Sequence, residues 1–488
     1  MKQQVGIIGA GPAGLTAAYE LVQDDRFQPV LFESDVQVGG ISKTIHYHGN
    51  RMDLGGHRFF TKVDRVSTLW EKILPLATAV QSEKVMLQRH RLSRILFGGD
   101  YYDYPVSPTV ATLKNLGMRR LSKIAIAYMR AVWQPIQPEK NLEDFLINRF
   151  GRELYQTFFE KYTEKVWGVP CCDIPNNWGQ QRVKGLSIAK ALQHILKKYL
   201  NSATPNMTET SLIESFHYPK YGPGQFWDEA AAKVISLGGQ LHTETKVVGL
   251  SLDSENRITE LKIQQGDKGI RSCSVDAVIS SMPIKDLVDI IPNVPKSIRT
   301  IAHKLPYRDF ITIGMLIAKN EKLKQLLDNW IYIQEPHLRA GRIQIFNNWS
   351  PALVADPTKL WLGLEYFCQD TDSFWNSSNE KLVKLAESEL KQMGYIESDA
   401  DVFDATVIRV PKAYPAYFGS YEKFPEVQEY FKQYPNLYLV GRNGMHRYNN
   451  MDHSMLTAMY AADLIKGMVA DKAKLWELNT EQEYHESK

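Results

Sequence analysis

Cysteine is scarce: four residues, Cys171, Cys172, Cys273 and Cys368, in a chain of 488. That is too few for a disulfide framework at this length, and no pair has metal-ligand spacing. A reduced, cytoplasmic protein without a metal centre is the expectation. No apolar run reaches the roughly 18 residues that would span a bilayer. The N-terminus opens straight into a strand-like run instead of a signal peptide. Net charge is low too: 58 Lys and Arg against 55 Asp and Glu leave +3. Nucleic-acid-binding domains carry a concentrated basic face, so nucleic acid is not an expected partner. Internal repeats and low-complexity linkers are also missing.

What is present is ordinary globular composition, 44% hydrophobic and 23% charged, in a chain long enough for two or three domains. The most informative stretch comes first. Val5 to Ile8 is an apolar run, and Gly9, Gly11 and Gly14 follow it, leading into an alanine-rich helical pattern through Leu21. The G-x-G-x-x-G spacing between a strand and a helix is the dinucleotide fingerprint. Its first glycine permits the tight turn, its second lets backbone approach a pyrophosphate, and its third lets the helix pack on the sheet. The pyrophosphate would rest on N–H groups at the helix N-terminus. A second strand, Pro29 to Phe32, ends in Glu33, where a carboxylate would accept ribose hydroxyls. The plain alternative is a strand–turn–helix with a surface glutamate.

Further along, Gly39-Gly40 and Gly55-Gly56 mark two places where backbone passes close to something, either simple turns or loops against a large flat ligand. Ile95 to Phe97 and Tyr101-Tyr102 flank Gly98-Gly99 as a hairpin, closed by Pro105 and Pro108. From Ala111 to about Leu200 the chain reads helical, broken at Pro135, Pro138, Pro170 and Pro175. Within it, Arg119, Arg120, Lys123 and Arg130 alternate with Ile124, Ile126, Tyr128 and Trp133. Such a pattern suits a membrane surface or an ordinary half-buried helix with a solvated face, and the second reading is preferred. Glu160 to Gly168 is dense in side chains able to bind polar ligands, although its Trp and Tyr also suit a core. After a turn at Tyr218 to Gly224, a helix over Phe226 to Leu237 and a strand–turn–strand run from Leu241 to Ile263 are expected. Val275 to Ser280 then reads as a buried strand returning to the first sheet. Ile311 to Ile317, Trp330 to Ile333, Arg342 to Phe346 and Leu360 to Phe367 read as one antiparallel sheet. Asn379 to Met393 reads as a helix and Val407 to Val410 as a strand. The strand Leu437 to Val440 then runs through a polar loop into a helix from Ser454 to Gly467.

The glycine fingerprint with Glu33, the downstream Gly39-Gly40 and the Gly-Arg loop before the last helix together resemble the FAD-binding flavoproteins of the amine oxidase group. That group includes protoporphyrinogen oxidases, phytoene desaturases and UDP-galactopyranose mutases. The resemblance covers nearly the whole chain. Gly55-Gly56-His57, and the run from Gly441-Arg442 through Tyr448 to Asp452-His453-Ser454, look most like the mutases. The mutase ending is G-R-x-G-x-x-x-Y-x-x-x-x-D-H-S, and this chain has one fewer residue before D-H-S. Tyr162 to Gly168, taken with the closing run, also resembles a bacterial subfamily of FAD-dependent oxidoreductases.

The resemblance implies an α/β fold: a discontinuous Rossmann-type FAD-binding domain, an inserted helical domain and an antiparallel β-sheet substrate domain. The FAD-binding segments would be 1–85, 215–300 and 431–470; the substrate domain 86–107 and 301–430; the helical domain 108–214; and a flexible tail 471–488. It implies FAD contacts at Gly9, Gly11, Pro12, Ala13, Gly14, Glu33, Ser34, Gly39, Gly40, Gly55, Gly56, His57, Val247, Gly441, Arg442, Met451, Asp452 and His453. Catalytic roles fall to His57, Arg342, Tyr414 and Tyr448. In the mutase reading, reduced FAD attacks a nucleotide sugar and interconverts pyranose and furanose without net redox change, in cell-surface polysaccharide synthesis. Arg342, Tyr414 and Tyr448 hold the diphosphate, which suits an arginine fork and tyrosine hydroxyls. The N-terminus of the last helix stabilises the charge of reduced flavin. The alternative is an oxidoreductase that removes hydride from an amine, porphyrinogen, polyene or sugar alcohol. No second glycine fingerprint is present, so electrons would come from NAD(P)H visiting the same site, or would leave to oxygen or a quinone. Two departures stand out. Gln37 and Ile41 occupy positions where amine oxidases carry arginines, and Lys220-Tyr221 precedes a turn where mutases carry an arginine.

Overall fold

The computed structural model describes residues 2–77, 82–104, 106, 109–176 and 215–478. The chain divides into two compact units. The first holds the described residues within Met1–Arg89, His217–Tyr307 and Lys412–Thr480; the second holds those within His90–Phe216 and Arg308–Pro411.

In the first unit, five parallel strands lie in the order Leu437–Leu439, Ala277–Ser280, Gln3–Ile8, Phe27–Phe32, Gln240–His242. The order reverses at Gln3–Ile8, and ligands of open α/β sheets bind outside the strand ends at such a point. Strand alternation explains both faces. Val5, Ile7, Phe27 and Leu31 point to one side, where the helices Pro12–Val22, Pro223–Ser236 and Met451–Lys466 cover them. Ile8, Val30 and Phe32 point to the other, where the antiparallel strands Thr245–Leu252, Ile258–Gln265 and Arg271–Ser274 contribute Val247, Leu250 and Leu261. Alternation of this kind is the period-2 signature of a strand covered on both faces. The run read from the sequence as Leu241 to Ile263 therefore splits: its first piece joins the parallel sheet, and the rest builds the covering one.

The second unit carries a seven-stranded sheet in the order Val402–Pro415, Tyr307–Ala318, Lys359–Cys368, Arg342–Ile345, Trp330–Ile333, Ser93–Phe97, Asp100–Asp103. The four strands expected at its centre are there, and so is the Gly98-Gly99 hairpin. The sheet is not purely antiparallel, because Ser93–Phe97 runs parallel to Trp330–Ile333. Helices follow at Val110–Trp133, Leu142–Phe150, Arg152–Phe158 and Glu160–Trp167. The first is interrupted at Gly117, whose φ is 68°.

The expected helical domain and the sheet share this one unit, and two side chains show why. Lys165 Nζ donates to the carbonyls of Ile333, Glu335 and Ala340 at 3.0, 3.2 and 3.1 Å. Arg308 Nε donates to Val166 O at 2.8 Å. Pro105, Pro108 and the part of the expected helical block from 177 to 214 lie outside the described residues. The expected tail begins within the fold: Lys474–Glu477 is helical and Leu475 is buried in the first core, while 479–488 are outside the described residues.

Candidate functional site

The opening turn of the first unit is built by backbone approach. A Cβ on Gly14 would stand 1.8 Å from Gly9 O, and Gly9 itself has φ 95° with the Ser281 side chain beside it. No side chain other than glycine fits at either point. Gly9 N–H donates to Phe32 O at 2.8 Å, which ties the turn to the second strand. Gly39 (φ 101°) donates its N–H to Ala10 O at 2.9 Å, and a Cβ on Gly40 would come within 3.3 Å of Gly11 Cα. The two glycine loops therefore touch through backbone alone. The helix Pro12–Val22 has Gly11 as its N-cap, Pro12 in its first turn, a buried Ala13, and no side chain covering its first N–H groups. Uncapped N–H groups facing a glycine-lined cleft are a ready anion site.

Glu33 shapes the same cleft. Its Oε2 accepts from Ala10 N at 2.7 Å and its Oε1 from Asp35 N at 2.9 Å and Ser34 Oγ at 3.3 Å. Its carboxylate thus also braces the turn, beyond the ribose role expected of it. Val247 is buried on the strand whose first residue, Thr245, donates its N–H to Glu33 O at 2.8 Å.

The loop Gly55-Gly56-His57 follows the strand Asn50–Asp53. His57 Nδ1 lies 3.0 Å from Gly55 O, a carbonyl that can only accept, so Nδ1 carries the hydrogen in this contact. Beneath the loop sits a group that sequence reasoning missed. Asp53 is fully buried and accepts from Tyr218 OH and, at 3.0 Å, from Thr44 Oγ1; Thr44 Oγ1 in turn accepts from Gly224 N at 2.9 Å. Burial pushes the Asp53 carboxyl up to about 7, against the pull of its two hydroxyl donors. The signal was a lone acid ending a short strand next to a glycine pair.

The closing run is organised around Gly441 and Arg442. Gly441 has φ 77°, and a Cβ there would meet Ala13 Cβ at 2.9 Å; one on Gly444 would meet Ser280 O at 2.5 Å. Arg442 donates to Asn449 O at 2.9 Å and Ala413 O at 2.7 Å, and its guanidinium lies 4.5 Å from the Tyr448 ring centre and 5.5 Å from that of Tyr414. Tyr414 and Tyr448 stack on each other with centroids 5.4 Å apart. Two tyrosines separated by 33 intervening residues thus form one aromatic pair under one cation. His446 nearby is buried, which holds its imidazole down to about 3 and keeps it neutral. Its Nε2 lies 3.2 Å from Ala416 O.

The last helix, Met451–Lys466, begins with a capping box: Asn450 caps, and His453 Nδ1 accepts from Asn450 N at 3.4 Å. His453 therefore serves the helix end itself. Met451 is buried and Asp452 puts a carboxylate in the first turn, which offsets part of the helix's positive end.

Arg342 belongs to the second unit, on the strand Arg342–Ile345. Its Nε stands 2.8 Å from Glu365 Oε2 as an ion pair poorly aligned for hydrogen bonding, and its guanidinium lies over Phe367. Glu365 is almost completely buried, and its Oε1 also accepts from Gln344 Nε2 at 2.9 Å. Sequence reasoning missed Glu365 because it is a single acid inside an apolar strand. Lys165, by contrast, was singled out with its neighbours and proves to be committed to three carbonyls; burial pulls its ammonium down to about 8.

Fold and cleft together define a dinucleotide-binding enzyme of the flavin type. The chain matches the model of the flavin-containing amine oxidoreductase family over residues 12–466, and it belongs to that family. Among curated proteins it is 21% identical to protoporphyrinogen oxidase 2 (chloroplastic/mitochondrial) of Arabidopsis thaliana, over 95% of this chain and 94% of that one. It is 20% identical to zeta-carotene desaturase of Solanum lycopersicum, over 84% and 72%. Among solved structures it superposes on reduced UDP-galactopyranose mutase with a TM-score of 0.81 at 21% identity, covering 98% of this chain and 97% of that one. The cofactor is FAD, and the cleft fits it: uncapped helix N–H groups for the pyrophosphate and a side-chain-free contact between Gly11 and Gly40.

Proposed function

We propose that this flavoenzyme acts in the cytoplasm on a nucleotide sugar in the manner of UDP-galactopyranose mutase, interconverting pyranose and furanose for cell-surface polysaccharide. The observation that carries the reading is the Tyr414–Tyr448 pair beneath Arg442, at the polar loop that opens the last helix. Two phenol groups held side by side by a rigid cation suit a polar, phosphorylated ligand better than a wholly apolar one. When bound and reduced, FAD supplies a nucleophilic ring nitrogen, and NAD(P)H is the proposed reductant. The chain's own work is to hold and orient. Arg442 fixes both rings, His57 is oriented through Gly55 O, and Tyr414 and Tyr448 offer their hydroxyls to the diphosphate. The family resemblance gives Arg342 a diphosphate role as well.

A second reading has a specific observation behind it. Arg342 is already neutralised by buried Glu365, which removes the net charge a diphosphate clamp needs. An uncharged substrate and hydride removal, as in an oxidase or desaturase, accord with that pairing.

Anaerobic, dithionite-reduced enzyme should interconvert UDP-galactopyranose and UDP-galactofuranose, read by chromatography, while oxidised enzyme should not. Turnover by oxidised enzyme with one peroxide per product would establish the second reading instead. Arg342→Ala should weaken UDP binding by roughly 1.5–3 kcal/mol if the fork holds the diphosphate. Arg342→Lys keeps the charge opposite Glu365 and controls for folding; unchanged UDP affinity in both removes Arg342 from the site.

A further inference from the structure

The helix Val110–Trp133 is apolar on two sides. The side turned to its neighbours Leu142–Phe150 and Arg152–Phe158 carries Leu116, Arg120, Ile124, Ala127 and Ala131. Arg120 lies there over the Phe97 ring and 3.9 Å from Glu153. Ala127 and Tyr128 pack so tightly that a Cβ on Gly151 would stand 2.7 Å from Tyr128 N. Large apolar side chains also stand on the opposite side: Met118 is 82% exposed, Ile126 49%, Met129 50%, Val132 56% and Trp133 83%. Their spacings of three, four, seven and eight residues put them along one stripe. An exposed row of this size is not explained by chance surface leucines, and it marks a contact face.

Charge identifies the occupant. The helix holds Lys114, Arg119, Arg120, Lys123 and Arg130 and no carboxylate at all. Arg119, Lys123 and Arg130 are exposed and border the apolar stripe; among the described residues none of the three is in an ion pair. Of the nearby acids, Glu139 pairs with Arg149 at 2.9 Å, Glu143 with Arg152 at 3.5 Å, and Glu153 with the inward-facing Arg120. No helix among the described residues is long and apolar enough to cross a membrane. A stripe of Met, Ile, Val and terminal Trp edged by cations is the pattern of a helix lying in the headgroup plane of an anionic bilayer. We propose that this face of Val110–Trp133 docks the enzyme onto anionic lipid. A protein partner would need acidic groups set against the cations at fixed places, whereas a lipid surface meets any arrangement of them.

The test is flotation of the flavin-loaded full chain with vesicles of phosphatidylcholine alone or mixed equally with phosphatidylglycerol. Wild-type protein should float with the mixed vesicles, release as salt rises, and stay behind with phosphatidylcholine alone. The triple variant Met129→Ser, Val132→Ser, Trp133→Ser and the pair Arg119→Glu, Lys123→Glu should each lose at least about tenfold in partitioning. Both alter exposed positions, and retained flavin absorbance and melting temperature will confirm that they fold. Three outcomes would overturn the proposal: wild-type protein that ignores mixed vesicles, variants that float as wild type does, or a wild-type dimer that ignores vesicles and is split by the apolar variant. The last would make the face a contact between two copies of this chain.

Discussion

Around Gly9 to Gly14 and Gly441 to Gly444, the first unit presses backbone against backbone, with room for no side chain at Gly14 or Gly444. Around its sheet, the second unit buries charged side chains and sets charged or polar partners against them. Glu365 meets Arg342 and Gln344; Arg94 meets fully buried Asp328, with Nη2 2.6 Å from Oδ2; Glu389 accepts from Tyr366 OH at 3.0 Å and Ala340 N at 3.2 Å. A backbone-lined cleft recognises what every dinucleotide shares, its pyrophosphate. The cofactor end is thus built by backbone, and the sheet unit by paired side chains.

The largest effect that sharpens this contrast is expected at Glu365. Glu365→Ala strands the mostly buried Arg342 guanidinium and the Gln344 amide, and should cost about 3–5 kcal/mol in denaturant unfolding. Replacing Arg342 and Glu365 together by apolar residues of similar size should recover most of it; if the double variant is no better than the single one, the pair is not what the unit relies on.

Next comes Gly14→Ala. One added methyl against Gly9 O should cost about 3 kcal/mol and strip the flavin, read from the absorbance of the purified protein. A yellow, fully stable Gly14→Ala protein would show that the cleft is not held by backbone contact.

The smallest effect tests the exception, a titratable group buried in the backbone-built unit. The folded carboxyl of Asp53 is raised to about 7, above its ordinary value, so the folded state holds that proton more tightly than the unfolded one. The stability it contributes is full below about pH 4 and is lost as pH rises through about 7. Asp53→Asn should flatten the slope of melting temperature in that range. An unchanged slope would assign it to other groups.

Legibility followed the same divide. The glycine turns, Glu33 and the closing Gly441-Arg442 run could be read because each works through neighbours a few residues apart. The strands of the second sheet were legible from their β-branched and aromatic runs. The helix Val110–Trp133 was legible as basic, amphipathic and half-buried, but not which apolar side chains would face outward. Lys165 could not be assigned either, since its three acceptors lie about 170 residues away.

By itself, then, the sequence determined the class of cofactor and the sheet that carries it, because a turn admitting only glycine leaves its mark at fixed short spacing. The tertiary structure alone decided that Tyr414 and Tyr448 form one pair under Arg442, that Arg342 is neutralised by Glu365, and that Asp53 is sealed from water. Those outcomes depend on which distant residues end up within a few ångströms of each other, and on how much solvent the fold leaves around them; neither is encoded in local spacing.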